Sequence, residues 1–302
     1  MFSALFNASL RATGLTALLR RFRNAGVVLC YHNLVADDRE ARIGDPGLHA
    51  PLERFRRQLG WLAAEYEIIC LREFVDRLSA GRPLRRCATI TFDDAYSGVF
   101  EYAWPVLRSL GVPATVFVVT GAPSNGDPFW WDHPAVRRAD TPDRRRRWLG
   151  TLCGDGSAIL GDLGPARPWS APTAHRPASW EVLARAARSG IALGAHSMTH
   201  RALPQLSDPE ILNELVASRE VLARHTGATA EFFSYPYGLW DGRVRQAAQA
   251  AGYRAACALD YGLVCEGADR WALPRVNVPA TIGAAAFEVW TSGLRPHWTP
   301  SM

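Results

Sequence analysis

The amino-acid sequence predicts an α/β fold in which parallel strands are joined by crossover helices, and three observations carry that reading. From Gly26 onward, short apolar, β-branched runs alternate with longer helical patterns, the usual mark of a parallel sheet. The helical stretches carry their own start and stop signals. Several strand-like runs also end abruptly in an aspartate, a histidine or a Pro-Gly turn, as strands do where a parallel barrel gathers its loops on one face. With 302 residues, 48% of them hydrophobic, the chain can bury a sizeable core within one large domain.

Residues 1–24 read as an amphipathic extension. Phe2, Leu5, Phe6, Leu10, Leu18, Leu19 and Phe22 recur at roughly helical spacing with Arg11, Arg20, Arg21 and Arg23 among them. Docking against its own domain is the favoured use, and peripheral contact with a membrane surface is the other. The main domain then runs over 25–302. Its strands are expected at "GVVLCYH", "YEIIC", "CATITF", "ATVFVVT", "IALGAH", "AEFFSYP", "YRAACAL" and "RVNV". Ser207 and Glu210 form a capping box opening a helix that stops at Gly227; another helix runs from Ser179 to Gly190, and a third from about Asp241 to Gly252. Over 122–178 the pattern breaks, proline recurs and the hydrophobic period is weak, which predicts a long loop insertion acting as a lid or binding wall.

Composition excludes several classes of function. The net charge is +5 and every basic residue is arginine, but the densest run, Arg144 to Arg147, sits in a loop-like segment beside Asp140 and Asp143. It reads as a solvated face, so no nucleic-acid partner is expected. Six cysteines in a chain this long are too sparse for a disulfide scaffold and suit buried thiols in a reducing compartment. The N-terminus has no basic region followed by an unbroken apolar stretch, so a cytoplasmic location is expected, at the inner membrane face where the extension touches lipid.

Three stretches carry chemistry. "ATITFDDAYSG" (88–98) runs a strand into adjacent aspartates, and neighbours on an extended chain point in different directions. One can hold a metal while the other faces substrate; an ordinary helix N-cap at Asp94 is the competing use. "GAHSMTH" (194–200) delivers His196 and His200 one helical turn apart, on one face. A HExxH protease is excluded, because position 197 is serine and supplies no base. Two histidines and one carboxylate are donors that zinc or iron accepts. In "FFSYPYG" (232–238) a sharp turn at Pro236 and Gly238 can aim the Tyr237 backbone N–H into a pocket rather than a ladder; an ordinary strand-to-helix turn is the competing use. His32, in "CYHNL", ends a fourth strand on the same face.

Taken together, "TFDD" (91–94), "HSMTH" (196–200) and "SYPYG" (234–238) resemble the three motifs of the polysaccharide deacetylases with a NodB-homology domain, carbohydrate esterase family 4, in the branch with a YPYG third motif. The resemblance spans about residues 26 to 278. It implies a distorted (β/α) barrel of about seven strands and the metal-dependent removal of an N-acetyl group from an amino sugar in a polysaccharide, oligosaccharide or glycolipid precursor. It also implies Asp94, His196 and His200 as ligands of one divalent ion, zinc first, with cobalt, nickel or ferrous iron as substitutes, and Asp93 as general base. The family's usual motif arginine is replaced by Ser234, which leaves Arg275 in "LPRVNV" to orient Asp93. The usual C-terminal acid histidine is missing, leaving His32 for that role. Tyr237 is expected at the oxyanion and, with Trp131, Trp240 and Trp271, against the sugar. His49, His133, His175 and His225 show no partner signal and read as surface or loop residues. Two other functions fit parts of the pattern: a non-catalytic glycan-binding protein of the same fold, and a 2-His-1-carboxylate iron oxygenase, which leaves Asp93 unemployed.

Overall fold

A computed structural model describes residues 2–164 and 169–294, with side chains from Phe6 onward. The side chains of Phe2 and Leu5, and His297, lie outside the described residues. Two N-terminal helices, α1 (Phe2–Ala12) and α2 (Leu15–Phe22), lead into β1 (Ala25–Tyr31). There follow β2 (Asn33–Val35), β3 (His49–Pro51), α3 (Leu52–Glu65), β4 (Glu67–Ile68), α4 (Leu71–Ser79), β5 (Cys87–Phe92), α5 (Trp104–Ser109) and β6 (Thr115–Val118). The segment 122–178 carries α6 (Ala122–Asn125), α7 (Pro134–Ala139), α8 (Pro142–Gly150) and α9 (Gly156–Asp162). The chain closes with α10 (Trp180–Arg188), β7 (Ala192–Ala195), α11 (Asp208–Thr226), β8 (Phe232–Ser234), α12 (Gly242–Ala250), β9 (Ala255–Cys257), β10 (Val264–Cys265), β11 (Val276–Asn277) and α13 (Ala284–Thr291).

The sheet is ordered β10-β1-β5-β6-β7-β8-β9, parallel except for β10 at the edge. β11 pairs with β1 in parallel, and just before it Leu273 bridges Cys257 of β9, so one short segment curls the sheet toward closure. This is the curled, mostly parallel barrel that the resemblance implied. The central strands are buried along their whole length, which explains why they read as continuous apolar runs rather than alternating ones. Leu29, Phe55, Ile90, Phe92, Val116 and Phe233 fill the interior at 0% exposure.

The helix signals operate as read. Ser207 and Glu210 cap α11, which ends on Gly227 at φ 72°, and the side chains of Ser179 and Asp241 accept from the first turns of α10 and α12. The described part of 122–178, by contrast, carries four α-helices, and its prolines explain why it reads as loop. Pro123, Pro134 and Pro142 lie in the first turns of α6, α7 and α8, where the missing N–H costs nothing. Arg144 to Arg147 accordingly lie on α8 rather than in a loop, with Arg145 paired to Asp140, Arg146 to Asp143 and Arg147 to Asp162. The short β2–β3 pair and β10 were not legible in the sequence. Among the described residues no helix is long and apolar enough to cross a membrane.

Candidate active site

Strand register assembles the site. β1 and β5 pair from Val27–Ala88 to Tyr31–Phe92, so His32 and the aspartates at 93 and 94 leave the sheet at one level. Val118 of β6 pairs with Ala195 of β7, and Ala195 with Phe233 of β8, which sets His196 beside Ser234. Asp94 and Ala95 take φ 69° and 56°, a left-handed conformation uncommon for residues with a side chain. That turn swings the two carboxylates onto different partners.

Asp93 is enclosed by donors. The Arg275 guanidinium donates to both of its oxygens, Nη1 to Oδ1 at 2.8 Å and Nη2 to Oδ2 at 2.7 Å, and the Ser234 hydroxyl reaches Oδ2 at 3.1 Å. The Cys30 thiol donates to the same oxygen at 3.4 Å. Burial alone would push the Asp93 carboxyl upward, but the charge of Arg275 outweighs it and holds the group well below the ordinary carboxylate range. Ser234 also receives a bond from Arg275 Nη2 at 2.8 Å, and its carbonyl accepts from His196 Nδ1 at 2.7 Å. Its replacement of the family arginine therefore leaves a residue that touches Asp93, Arg275 and His196 at once. That role carried no sequence signal.

Asp94 lies with His196 and His200. Its Oδ1 is 3.5 Å from His196 Nε2 and 3.4 Å from His200 Nε2, and the two Nε2 atoms are 3.2 Å apart. All three side chains are buried, at 3%, 2% and 6% exposure. Since His196 Nδ1 donates to Ser234, its Nε2 is left with a lone pair facing Asp94. Burial lowers the pKa of both histidines, so both rings are uncharged. Burial, and then the Asp93 charge, raise Asp94 well above the usual carboxylate value, and its Oδ1 has no hydrogen-bond partner. Two neutral imidazoles and an unpartnered buried carboxylate oxygen, all within 4.8 Å of one another, form a donor set suited to a cation. The residues fit a divalent metal.

The loop between the two histidines is strained and held. Ser197 and His200 sit at φ 62° and 58°. The buried carboxylate of Glu214, on α11, accepts from the backbone N–H groups of Met198 and Thr199 at 2.8 and 2.9 Å, and the Ser197 hydroxyl accepts from His200 N–H at 2.9 Å. Glu214 was missed because nothing in the sequence ties it to residues 15 positions upstream.

The predicted contact residues divide into two groups. Trp131 packs on the His200 ring at 4.6 Å, stacks on Phe129 and donates Nε1 to Tyr96. Tyr237, at φ 58°, also packs its ring against His200, edge-on at 4.5 Å, and a Cβ at Gly154 would meet its hydroxyl at 2.8 Å. The segment 122–178 thus forms the wall beside His200. Trp240 and Trp271 instead surround Tyr235: Trp240 donates to Asp260 while stacking on that ring, and the Trp271 carbonyl accepts from its hydroxyl. His32 is half-buried, its ring nitrogen within 4.8 Å of Asp93 and Cys30, and burial takes its pKa down to about 4.

The remaining histidines require a correction. His49 and His175 are not surface residues; both have 0% exposure. His49 bridges Asn33 at 3.0 Å and Asp132 at 2.8 Å, and Asp132 also accepts from Tyr96 and from Asp45 N–H. This buried network pins the segment that carries Trp131. His133 caps α7, and His225 stacks on Trp180.

A barrel whose strand ends present a carboxylate and two histidines as a metal site, beside a second, arginine-bound carboxylate, defines a metal-type hydrolase centre. A sequence profile described as polysaccharide deacetylase matches residues 80–256, and this chain belongs to that family, hydrolases acting on N-acetyl amide bonds with metal-dependent members. A Bacillus subtilis (strain 168) protein named provisionally as polysaccharide deacetylase YxkH is 20% identical over 270 residues, 89% of this chain and 76% of its own length. The poly-β-1,6-N-acetyl-D-glucosamine N-deacetylase of Staphylococcus aureus (strain MSSA476) is 33% identical over 69 residues, which are 22% of this chain and 24% of that protein. Among solved structures, the Streptococcus pyogenes deacetylase PplD in complex with acetate shares the fold at TM-score 0.63 and 18% identity, over 90% of this chain and 99% of its own. IcaB from Ammonifex degensii does so at TM-score 0.61 and 18% identity, over 89% and 98%.

Proposed function

We propose that this protein removes the acetyl group from N-acetylated hexosamine units of a glycan, with the poly-β-1,6-N-acetyl-D-glucosamine named for its S. aureus relative as a chemical example. The observation that carries the reading is the pairing of the Asp94, His196 and His200 cluster with the arginine-bound Asp93 in one buried site. The three residues of the cluster would hold the ion, zinc by the preference for a nitrogen- and oxygen-donor set with open positions. When bound, such an ion acidifies a water toward pKa ~7 and polarises a carbonyl.

The chain's own residues do the rest. Asp93, ionised and fixed by Arg275, is the base that takes the proton of the attacking water. His32 enters uncharged, so it does not bring a proton of its own to the reaction. The proton it hands to the departing amine is the one released to Asp93 beside it, a relay that ends with both groups in their starting states. The backbone N–H at the Tyr237 turn is the proposed donor to the oxyanion. Trp131 and Tyr237, both packed on His200, are the proposed contacts for the acetyl group.

The test is acetate release from β-1,6-linked N-acetylglucosamine oligomers, with metal content measured on the same sample. Activity should vanish on chelation, return with zinc, and fall by about 10² to 10⁴ in Asp93→Asn with the metal retained, the range for loss of a positioned acid or base. Full turnover in Asp93→Asn would falsify the assignment.

A further inference from the structure

The N-terminal helices use one face to join the domain and leave the other uncovered among the described residues. On the inner side, Thr16 is buried and Leu19 and Arg20 are half-buried. Arg20 pairs with Glu65 at 3.0 Å and lies over Trp61, and Arg11 of α1 pairs with Glu288 of α13 at 2.9 Å. These contacts are the docking expected from the sequence. On the outer side, Leu15, Leu18 and Phe22 are 37%, 55% and 66% exposed. Their spacing of three and four residues aligns them on one stripe of α2, and Phe6 of α1 adds a fourth side chain at 47%. These four account for most of the large hydrophobic side chains exposed among the described residues.

Charge selects the occupant. The first 36 residues contain four arginines and no aspartate or glutamate. Arg11 and Arg20 are neutralised by the domain. Among the described residues neither Arg21 nor Arg23 has a carboxylate partner within salt-bridge distance; Arg21 lies over the Phe22 ring and Arg23 reaches only the Ser292 carbonyl. An apolar stripe flanked by arginines that no carboxylate pairs among the described residues repels a second copy of the same surface and complements an apolar layer under negative headgroups.

We propose that α2, with Phe6, is a docking face for an anionic lipid bilayer, inserting Leu15, Leu18 and Phe22 at the headgroup boundary while Arg21 and Arg23 meet lipid phosphates. α2 leads into the amino end of β1, whereas Asp93 and His196 crown the carboxyl ends of their strands. The docking face and the catalytic site therefore lie at opposite ends of the barrel. Substitutions on α2 should leave hydrolysis of a soluble substrate unchanged.

The experiment is sedimentation of the full chain with large vesicles of phosphatidylcholine alone or with phosphatidylglycerol, with sedimentation velocity run in parallel. Binding is expected only to the mixed vesicles. It should weaken about fivefold with each of Arg21→Gln and Arg23→Gln at low salt, and by at least about tenfold in the double variant Leu18→Ser, Phe22→Ser. Circular dichroism of each variant establishes that it is folded. Absence of binding, or equal binding by the folded double variant, overturns the proposal. So does a dimer that the double variant converts to monomer, since the stripe would then belong to a second copy. None of these readouts depends on deacetylase activity, so failure here and failure of the proposed reaction are separable.

Discussion

Asp93 and Asp94 are adjacent in the chain and almost equally buried, at 1% and 3% exposure, yet their surroundings make them opposites. Asp93 has both oxygens occupied by Arg275, with Ser234 and Cys30 adding to one of them. Asp94 has an unpartnered oxygen facing two neutral imidazoles. Both carboxylates belong to a cluster of ligand-type side chains, since Cys30 and His32 offer ligand atoms within 4.8 Å of Asp93, the same bound that holds for His196 and His200 about Asp94. Only the second cluster lacks a positive charge. In the first, the Arg275 guanidinium is bonded to both oxygens of Asp93, and a metal there would face its repulsion at close range. Chemical role in this site follows from what each carboxylate is bonded to, and residue type alone does not separate them.

The contrast is open to attack at three points. The largest expected effect is in Asp94→Asn: the purified protein should lose its bound metal on dialysis and its acetate release should fall to background, while Asp93→Asn keeps the metal. Metal retention in Asp94→Asn, measured by elemental analysis, would reverse the assignment. Next comes Arg275→Met. Leaving Asp93 buried and unpaired should cost about 3–5 kcal/mol in urea unfolding. It also frees burial to raise the Asp93 pKa. Because the working form is the carboxylate, the acid limb of the activity profile should move to higher pH. An unmoved limb would mean that the guanidinium does not set the charge of the base. The smallest effect is in Cys30→Ala, which should keep turnover within about twofold and bind the same single equivalent of zinc, since it removes only a weak thiol donor. If the parent protein binds a second equivalent that this variant loses, the cluster around Asp93 is a metal site as well.

Legibility in the sequence followed the range of the interaction. The central strands β1, β5 and β6 were visible because each is an apolar run buried on both faces, and α11 because its caps are local. The helices of 122–178 were hidden because their first-turn prolines look like loop residues when no packing partner is in view; what stabilises them is the satellite core of Val136, Trp148 and Ile159. His49 and Asp132 are 83 positions apart, and Glu214 and Thr199 are 15 apart. No spacing rule links such pairs.

The sequence alone determined the alternating α/β fold, the placement of Asp93, Asp94, His196 and His200 at strand ends, and the absence of a base between the two histidines. Each of these rests on local chemistry: strand period, caps, and which residue occupies which position. Only the tertiary structure decided that Arg275, 182 residues downstream of Asp93, binds both of its oxygens, that Ser234 joins base and ligand, and that α2 keeps an apolar stripe outward. Those outcomes depend on strand register and helix docking, in which a shift of one residue turns a side chain to the opposite face. Nothing in the local order of residues specifies which distant group will then lie within hydrogen-bonding distance.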